Sequence, residues 1–140
     1  MTIVLISQAY RGRSAIAAGY LRAYLGDDVE VRCFGGEPDD LPDPAIDRVM
    51  REDGILMRPL RQTPIDPLVL SRADRVVTMG LEADIAERVG RVDEEWRLPD
   101  PEGRPLGEIR AIRDEIKRRV SGLAGALLKR HEVSPPAGFP

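Results

Sequence analysis

The chain has 140 residues, 42% of them hydrophobic, and a formal net charge of −3. That length makes one domain with a real core rather than two, and the acidic balance excludes a general nucleic-acid binder, which needs a basic face. Cys33 is the single cysteine, so an internal disulfide and a multi-thiolate metal site are excluded as well.

The first element is Thr2-Ile3-Val4-Leu5-Ile6, a β-branched and aliphatic run with the pattern of a strand covered on both faces. It is far too short for a signal peptide or a membrane span, so a cytoplasmic protein with no membrane partner is expected. A loop, Ser7 to Ser14, leads into a helix over residues 14–25, where Ile16, Ala17, Tyr20, Leu21 and Leu25 recur at helical spacing and Gly26 supplies a stop. Val29 to Cys33 alternates as a second strand, closed by Gly35-Gly36. A proline-rich loop (Pro38, Pro42, Pro44) precedes a helix from about Ala45 to Glu52, with Ile46, Val49 and Met50 on its buried side. Residues 55–60 allow a short strand that Pro59 would limit. Asp66-Pro67 reads as an N-cap with proline at the first helical position, opening a helix to Arg72.

Asp74 to Met79 is a further buried strand, and Glu82 to Val89 a further helix. Residues 90–104 read as irregular, containing Trp96 and the turn Pro99-Asp100-Pro101-Glu102-Gly103. A long amphipathic helix runs from Leu106 to about Leu128, with Ile109, Ile112, Ile116, Val120, Leu123 and Leu127 stepping by three and four. The remaining residues, 131–140, have the composition of a disordered tail, leaving residues 1–130 as the folded domain.

Strands alternating with helices imply βαβ units and a parallel sheet covered on both faces. Ligands in such sheets sit beyond the carboxyl ends of the strands. The loop Ser7-Gln8-Ala9-Tyr10-Arg11-Gly12-Arg13-Ser14 leaves the first strand at that edge. A tight strand–loop–helix turn gathers backbone N–H groups and aims a helix N-terminus at one point, which suits an oxyanion. Arg13 adds a planar fork able to grip two oxygens of a phosphate-like group. The place where such a loop would carry a nucleophile holds Ser7.

These residues resemble the low-molecular-weight protein tyrosine phosphatase superfamily, and within it the arsenate reductases coupled to thioredoxin or mycothiol. That family has a nucleophilic Cys, five residues, then Arg and Ser or Thr directly after the first strand; Ser7 to Arg13-Ser14 has the same spacing. Gly12-Arg13-Ser14 followed by Ala17 resembles the reductase branch. Further landmarks follow in order: Val31 to Pro38, Ala73 to Gly80, Trp96, Asp100-Pro101, Ile112 to Ile116 and Arg119-Val120. The resemblance implies a flavodoxin-like three-layer α/β fold: a small four-stranded parallel sheet with helices on both faces. It implies no cofactor and no metal. The implied partner is a phosphate-like oxyanion or a phosphorylated small molecule or protein. It also places Asp100 at the family's general acid.

Three features depart from that pattern. The family's thiol is ionised by the loop's positive field and attacks phosphorus or arsenic; a serine hydroxyl is a much weaker acid, and it cannot pass electrons to arsenic or form a disulfide. Tyr10 stands where the family usually has Asn, and Cys33 where that Asn finds a Ser. The stretch from Gly80 to Val92 lacks the resolving cysteines of thioredoxin-coupled reductases.

The residues allow plainer readings too. Ser7 can be a cap residue, Arg13 a surface arginine, Asp100 a turn former, Cys33 a small core residue or a displaced thiol near the loop. Tyr10 suits packing or ligand recognition, Trp96 an anchor for the long loop, and His131 lies in the tail. The favoured expectation is an oxyanion-binding protein with Ser7, Arg13 and Asp100 at its centre and impaired or altered catalysis. The alternatives are an active phosphatase or arsenate reductase whose nucleophilic Cys was replaced by Ser7 through engineering, and a partner-binding module with a vestigial anion loop.

Overall fold

The computed structural model describes residues 1–7, 10–35, 43–58, 63–80, 87 and 89–131, and for Tyr10, Arg11, Arg130 and His131 the backbone alone. Four strands, β1 (Thr2–Ser7), β2 (Glu30–Phe34), β3 (Arg75–Met79) and β4 (Glu94–Glu95), form one sheet in the order β2-β1-β3-β4. Every pairing is parallel. The chain moves from β1 outward to β2 and then returns past β1 to β3. The loops leaving β1 and β3 therefore flank the point where strand order reverses, the place where doubly wound sheets hold ligands.

The strands are apolar because both faces are covered. Ile3 and Leu5 point to one side with Val31, Cys33, Val77 and Met79, where α1 (Ala15–Leu25), α2 (Pro44–Glu52) and α4 (Leu106–His131) pack. Val4 and Ile6 point to the other with Phe34 and Val76, against Leu70 and Ala73 of the α3 region (Pro67–Arg72) and Val89. Helix α1 packs against the sheet, α2 and α4, and its small residues allow the close approach. A Cβ added at Gly19 would stand 3.0 Å from Met50 Cε and 3.2 Å from both Ile55 and Met57. Helix α4 buries Ile109, Ile112, Ile116, Val120, Leu123 and Leu127, the stripe its spacing marks out.

The caps follow their sequence signals. Asp66 accepts from Leu68 N–H with Pro67 opening α3, and Gly26 (φ +62°) ends α1. Helix α2 begins at Pro44, one residue before the expected Ala45, because the Asp43 side chain accepts from Ala45 N–H and makes proline the first helical residue.

Two expectations need larger correction. Residues 90–104 are not wholly irregular, since Glu94–Glu95 pair with Val77 and Thr78 as β4. Helix α4 runs to His131 rather than about Leu128, so the helix takes in the first residue assigned to the tail. Residues 55–58 form no strand. Most of the expected Glu82–Val89 helix, Gly36 and residues 132–140 lie outside the described residues. Among the described residues no helix is long and apolar enough to cross a membrane.

Candidate functional site

The carboxyl ends of β1, β3 and β4 converge. Ser7 is the last residue of β1 and is level with Met79 at the end of β3. Tyr10–Ser14 curls tightly with a non-helical kink at Gly12 (φ −116°, ψ −107°) and passes directly into α1.

Ser7 is 1% exposed and Ser14 is fully buried, and their hydroxyl oxygens share a short hydrogen bond. Ser14 stands at the N-cap position of α1, yet its side chain makes no capping hydrogen bond. Its hydroxyl is directed to Ser7 instead. Two buried hydroxyls at a sheet edge satisfy one another.

Arg13 is half-buried, and its Nη1 donates to the carbonyl of Leu98 at 2.8 Å. The guanidinium lies over Gly80. A Cβ there would overlap Nη1 and stand 3.2 Å from Cζ, and Gly80 has φ +63°. Only a residue without a side chain lets the arginine lie so low.

Asp100 reaches the loop from the segment after β4. A Cβ at Gly12 would stand 3.1 Å from Asp100 Oδ1 and 3.1 Å from the Pro101 ring. The same Oδ1 accepts from Glu102 N–H at 3.0 Å, and Arg104 Nε donates to the Asp100 carbonyl at 2.6 Å. The turn-forming reading of Asp100 is therefore realised, and its carboxylate is exposed beside the loop. The segment is tied down upstream by Trp96, whose side chain is buried and whose main-chain N–H donates to the Thr78 carbonyl at 2.8 Å.

The structure thus brings Ser7, Gly12, Arg13, Ser14 and Asp100 to one strand edge. Gln8 and Ala9 lie outside the described residues, as do the side chains of Tyr10 and Arg11. Cys33 does not fit the displaced-thiol reading. It is 2% exposed, level with Leu5 inside the sheet, and burial pushes its thiol up to about 12, the opposite of what a nucleophile needs. Among the described residues no three His, Cys, Asp or Glu side chains gather as a metal set.

One participant was invisible in the sequence: the Leu98 contribution is a main-chain carbonyl, which no residue type advertises. Gly80 closed the Ala73 to Gly80 landmark, but its part as the floor under Arg13 was not read from it.

No family model matches the chain. Among curated proteins, arsenate reductase 2 of Staphylococcus haemolyticus is 33% identical over 124 residues, covering 85% of this chain and 92% of that protein. An arsenate reductase of Staphylococcus aureus is 32% identical over 119 residues, covering 83% and 90%. Among solved structures, an arsenate reductase in the phosphate binding state aligns with a TM-score of 0.73 at 25% identity, over 89% of this chain and 97% of that one. A Cys-to-Ser mutant of YwlE arginine phosphatase with a phosphorylated active-site serine aligns with a TM-score of 0.74 at 22% identity, over 96% and 100%.

Proposed function

Since the chain belongs to the family of arsenate reductases and low-molecular-weight protein tyrosine phosphatases, we propose that it binds a phosphate-like oxyanion in the loop 7–14 and does not turn it over by thiol chemistry. The buried Ser7 hydroxyl carries this reading: it stands at the end of β1, bonded to Ser14, where the family's loop starts. Arg13 supplies the positive charge, with its guanidinium already fixed by the Leu98 carbonyl and the Gly80 floor. Prepaid order of that kind strengthens a charge-assisted contact, because little side-chain freedom is lost on binding. The relative in the phosphate binding state supports the ligand class.

Catalysis is where the chain parts from its relatives. A serine in the same field stays protonated where a thiol would ionise. Arsenate reduction needs a sulfur to take up oxidation and a second thiol to resolve it, and Cys33 is sealed in the core. Asp100 keeps the place from which a leaving oxygen would be protonated.

Calorimetric titration with phosphate and with arsenate tests the reading. Binding that Arg13→Ala weakens about 10–100-fold is expected, the scale of one lost charged contact. Steady hydrolysis of an aryl phosphate at the rate of a thiol phosphatase, or no anion binding at all, would overturn it.

A further inference from the structure

We infer that the trough between α1 and residues 53–58 is a docking site for an extended acidic segment of another protein, which lays an aliphatic side chain against Ile55 and Leu56 and a carboxylate on Arg22. The site shares no residue with the loop 7–14 and stands independently of the oxyanion reading.

Two cavities meet along this flank. One, of about 230 Å³, is lined by Gly19, Arg22, Ala23 and residues 54–58. The other, of about 290 Å³, takes in Tyr20, Tyr24, Asp53 and Lys117 and shares Ala23, Gly54 and Ile55 with the first. Each falls below the ~300–1,000 Å³ of an ordinary small-molecule pocket. Joined, they make a shallow trough, a shape suited to a length of extended chain.

The chain after α2 forms one wall. Ile55 and Met57 turn inward, each with an atom 3.2 Å from a Cβ placed at Gly19, while Leu56 between them is 71% exposed. A large aliphatic side chain that open, beside apolar walls, is surface whose burial against a partner is favourable. Ala23 is exposed on the α1 wall, and a Cβ at Gly54 would meet nothing within 4 Å, so the trough is open between them.

Charge selects the occupant. Lys117 and Asp53 satisfy one another at 2.8 Å, and the Tyr20 hydroxyl also donates to Asp53. Arg22 is half-buried and, among the described residues, has neither an ion pair, with Asp27 and Asp28 included, nor a side-chain hydrogen bond. On a chain of net charge −3, the trough thus holds an unmatched positive charge next to apolar surface. A guanidinium partly withdrawn from water without a partner is a cost. A carboxylate docked on its planar fork removes that cost with a charge-assisted contact.

The test is an NMR titration of the isotope-labelled full chain in phosphate buffer, which occupies any anion site in the loop 7–14. The probe is the blocked peptide Glu-Leu-Asp-Leu-Glu, and Lys-Leu-Lys-Leu-Lys is its charge-reversed control. Saturable shifts of main-chain N–H signals at residues 19–23 and 53–58 are expected with the acidic peptide and none with the basic one. Arg22→Gln should weaken binding about tenfold, the scale of one charged contact. Ala23→Glu, which adds bulk and negative charge to an exposed helix position, should abolish it. Added salt should weaken it as well. Comparing the two peptides on the unaltered chain makes the result independent of how either variant folds. Equal shifts with both peptides, shifts confined to residues 7–14, unchanged affinity in Arg22→Gln, or no saturable shift at millimolar peptide overturns the docking role. So does sedimentation showing a dimer that Leu56→Ser dissolves, because a second copy then covers the trough. None of these outcomes bears on phosphate binding, which the calorimetric titration tests separately.

Discussion

Gly80 leaves β3 with φ +63°, and the Arg13 guanidinium occupies the space its side chain would need. Gly80→Ala therefore carries two penalties. Left-handed backbone costs an L-residue about 1–2 kcal/mol, and the arginine must rise off the floor and lose its seat. A lower melting temperature is expected together with phosphate affinity reduced about 10–100-fold, the size of a lost charged hydrogen bond; unchanged affinity would mean the guanidinium has a second equally good position. The two thiol environments give another prediction. In Ser7→Cys the new thiol, beside Arg13, should react with iodoacetamide at neutral pH, with its rate inflecting below the ~8.5 of a free thiol. Cys33, held up to about 12 by burial, should stay unreacted in the folded chain. Peptide mapping after alkylation separates the two. The sequence showed Ser7 and Arg13 because their residue types and spacing carry the chemistry. It did not show Leu98, whose share is a carbonyl oxygen, or the diversion of the Ser14 hydroxyl from cap to partner.

Among the elements, legibility tracked how much of each is written in its own residues. Helix α3 has only six residues, yet Asp66-Pro67 fixes its start through an N–H acceptor and a preset φ. Helix α4 declares itself by an apolar stripe. Ile116, fully buried in that stripe, should cost about 2–5 kcal/mol as Ile116→Ala, read by denaturant unfolding. Asp43→Ala should cost about 1 kcal/mol by the same measurement, since Ala45 N–H loses its acceptor. Strand β4 was illegible for a physical reason. It is two glutamates long, with no apolar alternation. Its conformation is set by β3, and by Asp93 N–H donating to the Val76 carbonyl at 2.9 Å while the Asp93 carboxylate accepts from Val76 N–H at 2.8 Å. Context of that kind leaves no mark in a local window.

At the scale of the molecule, α2 and α4 are joined by charge as well as by packing. Glu52 meets Arg110 and Arg113, and Asp53 accepts from Lys117 and from the Tyr20 hydroxyl, each at 2.8 Å for the latter pair. Hydrogen bonds from Arg110, with Arg113 assisting, hold the Glu52 carboxyl at about 2, and those from Arg118 and Arg119 do the same for Glu115. Burial would raise Asp53, but Lys117 and Tyr20 more than offset it and leave it low. Lowered carboxylates contribute stability that is full above their ordinary range and is lost as pH falls toward about 2. The melting temperature should therefore drop between about pH 4.5 and 2, with a shallower drop in Glu52→Gln and in high salt, because these pairs are exposed. Cys33 and Tyr20 act with the opposite sign. Burial raises both, with Asp53 adding to Tyr20, so their share is present below pH 9 and fades as pH climbs through the Cys33 range toward about 12.

The brevity of β4 has a last consequence, for what happens when many copies crowd together. An open parallel sheet ends in two rows of backbone that can recruit a stranger's chain and seed fibres. Here one border is two carboxylate-bearing residues long. At the other, Thr63 lies along the end of β2, exchanging main-chain bonds with Cys33 and Gly35. Growth by templating finds short purchase on one side, repelled by like charge, and a partly occupied rail on the other.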